Sequence, residues 1–167
     1  FIEPGGTTDS ASFSDTAQNL LDSPTLGGIT GVGWTVAALA ITIGTAYLAR
    51  SMQGEQKPGS DLAGLASVLA LLSAAIVAVD HGLHNVVFDS GWTEQGGDAA
   101  NAIAIGEAVF RGMFTFIAAA SLLLGIAIFI QKNLNQIAGG ITALFGALLL
   151  IGWILPFESE ILDFVGF

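Results

Sequence analysis

Between Leu62 and Val79 the chain runs LAGLASVLALLSAAIVAV, without a single charge. About eighteen such residues are enough for a helix to span a bilayer. The run ends abruptly in Asp80-His81-Gly82-Leu83-His84-Asn85, which puts both histidines of the chain and one acid on the last turns of that helix. Ionisable groups at membrane depth are costly and usually face a partner or a cavity, which makes these residues site candidates.

The rest of the chain repeats the pattern. Further apolar segments cover about 27–49, 104–130 and 137–155, the third span being interrupted near its start by Glu107 and Arg111. Only 11% of the 167 residues are charged and the mean hydropathy is +0.74, whereas a soluble domain carries about 25% charged residues. The expected fold is an all-α integral membrane protein, with four transmembrane helices in an up-and-down bundle over residues 26–156. The second span extends to residue 88 on this reading.

Both flanks are expected to form short interfacial helices. Residues 1–25 are polar; Asp15 and Gln18 have capping-box spacing, and Ala17, Leu20 and Leu21 give an amphipathic turn that must stop before Pro24. In the tail, 157–167, Phe157, Ile161 and Phe164 recur at helical spacing. A start at Phe1 is what removal of a leader peptide would leave.

Charge and tryptophan agree on an orientation. Arg50, Lys57 and Lys132 fall in the first and third loops, which the positive-inside rule assigns to the cytoplasm. That side has three bases and two acids, net +1; the other has twelve acids and Arg111, net −11. Trp34, Trp92 and Trp153 all fall at the acidic side, where indole rings favour the interface. Both termini are therefore expected outside, in a prokaryotic cytoplasmic membrane.

Lipid does not drive helices together, so stripes of small residues mark packing faces. The spans offer Gly33, Ala37, Ala40 and Gly44; Ala66, Ala70, Ser73 and Val77; Ala118, Ser121 and Gly125; and Gly139, Ala143 and Gly146. The second stripe continues into Asp80 and His84, and the third extends back to Arg111. These faces are expected to form the bundle interior, with His81 and Asn85 on its flank.

Two arrangements suit that cluster, placed in the outer third of the membrane. One is a structural ion-pair network of Asp80, His84, Glu107 and Arg111, since a buried arginine demands a carboxylate. The other is a divalent transition-metal site built from Asp80, His81, His84 and Glu107. His81 and His84 diverge by about 60° around the helix, which weakens the second. Haem fits less well: both imidazoles are on one helix, and of the methionines only Met113 is on the correct side. A proton path is disfavoured because the other half of every span lacks ionisable groups.

No catalytic residues are identified. The chain has no cysteine, no phosphate loop after a strand and no HExxH, and its net charge of −10 disfavours nucleic acid. The acidic face admits three explanations: solvation alone, a basic exterior partner or a high-salt habitat. The function expected is that of a non-enzymatic accessory subunit packed against other membrane subunits within the lipid bilayer. The alternative is a metal- or cofactor-binding membrane protein working in redox, sensing or transport.

Overall fold

A computed structural model describes residues 13–88, 99–132 and 134–154. Among these the chain is all-helical: α1 (Phe13–Asp22), α2 (Pro24–Ser51), α3 (Ser60–Asn85), a 3-10 turn (Val86–Phe88), α4 (Ala99–Gln131) and α5 (Gln136–Ile154). The tail expected at 157–167 lies outside the described residues. α2, α3 with its 3-10 turn, and α4 are each long and apolar enough to cross a membrane.

Local chemistry sets the breaks. Pro24 starts α2, where its missing N–H is no loss, and it cannot continue α1. Gln18 donates forward to the Asp22 carboxylate at 2.8 Å, and Asp15 lies inside α1. The α2–α3 loop turns through Gly59 at φ +76°, as its Pro-Gly pair requires. A Cβ there would press on the Ala127 backbone at 3.3 Å, so the loop also crosses close over α4. Gln131 ties the same end by donating to the Met52 carbonyl at 2.8 Å. Asn135 caps α5, its Oδ1 accepting from the Ile137 amide at 2.9 Å.

The long helices pack antiparallel, each on its neighbour in sequence. Ala46 and Ala49 of α2 meet Ala70, Ala63 and Ala66 of α3, while Ala70 and Val77 of α3 meet Ala120 and Met113 of α4. Ser73 adds a polar tie, donating to the Met113 carbonyl at 3.2 Å. α5 lies on α4, which is its main contact among the described residues. α1 folds back over one end of this row, where Ala17 packs with Val87 and Ile103.

Small residues are inside and large apolar ones outside, the reverse of a soluble core. Ala63, Ala66, Ala70, Ala118, Ala120 and Ala127 are fully buried, whereas Ile137, Ile141, Leu144 and Leu148 form an open face along α5. Lipid, not water, is the solvent that such a surface suits.

The stripe on α2 is a correction. Gly33, Ala37, Ala40 and Gly44 do not form the interior; the residues that meet α3 are Ala38, Thr42, Ala46 and Ala49, on roughly the opposite side of the helix. Thr42 can be buried because its hydroxyl donates to the Ala38 carbonyl at 2.9 Å. α2 has small residues on both sides, so its sequence leaves the choice of face open.

Candidate functional site

The α3 stripe carries its polar end inward as expected. Ala66, Ala70, Ser73, Val77 and Asp80 are all buried, Asp80 at 6% exposure. His84, one turn on, is partly buried, with 31% of its side chain exposed. Its Nδ1 lies 3.1 Å from the Asp80 carbonyl oxygen and 3.2 Å from Asp80 Oδ1. A carbonyl can only accept, so Nδ1 carries the hydrogen and Nε2 is the open nitrogen. That hydrogen is aimed at the carbonyl, and Oδ1, although close, has no hydrogen-bond partner.

A carboxylate buried with an unsatisfied oxygen is expensive. The imidazole beside it reduces the cost.

α4 makes room with Gly106. A Cβ there would stand 3.0 Å from His84 Cε1 and 3.1 Å from Asp80 Oδ1. Sequence reasoning misses Gly106. Its only signal is a small residue next to Glu107, at the level where α3 turns polar. Glu107 is partly buried and close enough to act electrostatically on His84.

His81 and Arg111 are placed differently from expectation. His81 faces α2: its Nδ1 is 2.9 Å from Thr35 Oγ1, and its Nε2 is 2.7 Å from Asn85 Nδ2. The Thr35 hydroxyl gives its hydrogen to the Gly31 carbonyl at 2.8 Å. Its oxygen must then accept from His81 Nδ1–H, which leaves Nε2 to accept from the Asn85 amide. Both ring nitrogens are engaged, and His81 fastens α2 to α3. Among the described residues no group of three or more His, Cys, Asp or Glu converges for a metal. Met113, the only methionine on the expected side for haem, is buried against Val77 and Ala38.

Arg111 lies on the expected line of α4 but is exposed. Measured along the helix, it stands about 30 Å from Gln131, and Asp80 about 28 Å from Asp61. Those lengths match the thickness of a bilayer's hydrocarbon core. In an upright helix both groups would sit at its edge, where an arginine reaches water without a buried partner.

An open groove lies beneath the α2–α3 loop, lined by Glu55, Lys57 and Asp61. All three are exposed. Nothing there converges as Asp80, His84 and Gly106 do.

Comparison with protein-family models, curated proteins and solved structures finds no match.

Proposed function

We propose that the chain is a non-enzymatic, membrane-embedded accessory subunit whose four long helices all cross the bilayer and form a surface for other membrane subunits. The observation that carries this is the outward stripe of α2. At Gly33 and Gly44 an added Cβ would meet nothing within 4 Å, and neither Ala37 nor Ala40 between them is buried. Small residues at this spacing let a second helix backbone approach closely. The other glycine seam is already used, since Gly125 and Gly146 are pressed between α4 and α5.

The charge distribution supports an orientation with both termini and the α3–α4 loop outside, and with Arg50, Lys57 and Lys132 in the cytoplasm of a prokaryotic cell. The cluster of Asp80 and His84 at the α1 end suits a structural role, the imidazole offsetting a buried acid. A metal or cofactor function has less support, since His81 is engaged elsewhere.

Cross-linking in native membranes, followed by sizing in mild detergent, tests the proposal. The parent chain should run within a larger species, and Gly33→Leu with Gly44→Leu should release it. A parent chain that is monomeric in its own membrane would sink the proposal.

A further inference from the structure

Arg111, Ala118 and Gly125 are spaced by seven residues, so they lie on one line along α4, drifting only about 20° per step. One more step of seven reaches Ala104. α5 covers the lower part of that line. Gly125 faces Gly139 and Ala143, and Ala118 faces Gly146. Antiparallel helices advance at equal rise, so Ile154 stands opposite roughly residue 110. Beyond that level this side of α4 is open: Asn101, Ala108 and Arg111 are exposed, and Ala104 is partly so.

The chain leaves α5 at this same point. Residues 155–167 read LPFESEILDFVGF, with Glu158, Glu160 and Asp163 set among Phe157, Ile161 and Phe164. Arg111 is the only lysine or arginine at this end of the helices; Arg50, Lys57 and Lys132 are at the other. An acidic segment with large apolar side chains therefore starts beside an uncovered helix face of small ones, with a single cation at its entrance. A segment running on antiparallel to α4 at the α4–α5 register would bring Phe157 to the level of Ala108 and Ile161 to that of Ala104.

We propose that the open extension of the α4 seam, from Asn101 to Arg111, is the docking surface for the chain's own C-terminal segment. Arg111 pairs with Glu158, and Phe157 and Ile161 cover Ala108 and Ala104. Arg111 then stands between Glu107 of its own helix and Glu158, and its charge offsets both acids. This placement does not depend on whether α2 binds another subunit.

The absence of cysteine makes the test clean. Ala104→Cys with Ile161→Cys should form a disulfide within one chain under mild oxidation in membranes. Thr115→Cys with Ile161→Cys, well out of register, should not. Ala108→Cys with Phe157→Cys provides a second in-register pair if the first variant folds poorly. Arg111→Glu or Glu158→Arg should each reduce the yield about twofold to fivefold, the effect of one screened ion pair, and the double reversal should restore it. If the in-register thiols label freely without cross-linking, the tail lies elsewhere, for example on the lipid surface, and the proposal fails. A disulfide formed only between chains would show that a second copy covers this face, which also overturns it. Yields insensitive to both charge reversals would remove Arg111 as the anchor.

Discussion

Gly125 and Gly139 exclude each other's side chains. A Cβ on Gly125 would stand 2.6 Å from the Gly139 carbonyl oxygen, and one on Gly139 would stand 3.0 Å from that of Gly125. Backbone meets backbone here, so neither side can yield by changing rotamer. Gly146 is similarly placed, 2.6 Å from the Ala118 carbonyl oxygen for an added Cβ. Gly125→Ala or Gly146→Ala should force α5 away from α4 and cost about 1–3 kcal/mol. Gly140→Ala, with nothing within 4 Å, should stay within about 0.5 kcal/mol. Thermal unfolding in detergent compares the three, and equal melting of Gly146→Ala and Gly140→Ala would show that the seam does not hold α5.

Removing the imidazole from the acid pair should be worse than removing both members. His84→Ala leaves Asp80 buried beside Gly106 without its counter-group. Loss of a fully buried partner costs about 3–5 kcal/mol. With His84 31% exposed, a discounted loss of roughly 1–3 kcal/mol is expected. Adding Asp80→Asn should recover much of it. Metal content followed alongside provides the contrast: stoichiometric metal in the parent, lost on His84→Ala, would make this a metal centre.

Thr35→Val should loosen α2 from α3. It leaves His81 Nδ1–H without its acceptor, a loss of about 1–2 kcal/mol. Hydrogen exchange should rise at the α1 end of α2 and not near Ala49. Thr35→Ser keeps the hydroxyl and should behave like the parent. Uniform exchange changes along α2 would count against a local fastening.

Arg111→Leu should cost less than about 1 kcal/mol, because the side chain is exposed and its pairing is screened. A loss of several kcal/mol in thermal unfolding would place Arg111 inside a desolvated network instead.

Topology can be read with single cysteines. Lys57→Cys and Glu94→Cys should label from opposite sides of the membrane with an impermeant maleimide, Glu94→Cys from outside. Labelling of Lys57→Cys from outside would invert the orientation.

The α3 interior is legible in the sequence because its residues leave little choice. Ala66, Ala70, Ser73, Val77 and Asp80 share one side, while Leu65, Val68, Leu72 and Val79 occupy the exposed side. α2 misleads because glycine and alanine appear on two opposite sides, and periodicity cannot rank equals. For Arg111 the line is right and the burial is not: where α5 stops is set by the second helix, not by the sequence of α4. The Thr35–His81 bond depends on how α2 is rotated against α3, which neither helix encodes alone. Gly106 carries no chemistry of its own and becomes visible only once Asp80 and His84 are seen against it.

The succession of contacts from α2 to α5 also bears on how the chain is made. Each long helix after α2 has a main partner in the one synthesised just before it, so every hairpin can close as it leaves the ribosome without waiting for a later segment. α1 is the exception. It is made before the long helices, yet Ala17 packs on Ile103 and Val87, and it must stay undocked until α4 has emerged. Closure of the α1 end should therefore be the late event in biogenesis. A chain arrested before α4 would already hold α2 against α3, with Leu20 and Ala17 still without their seat.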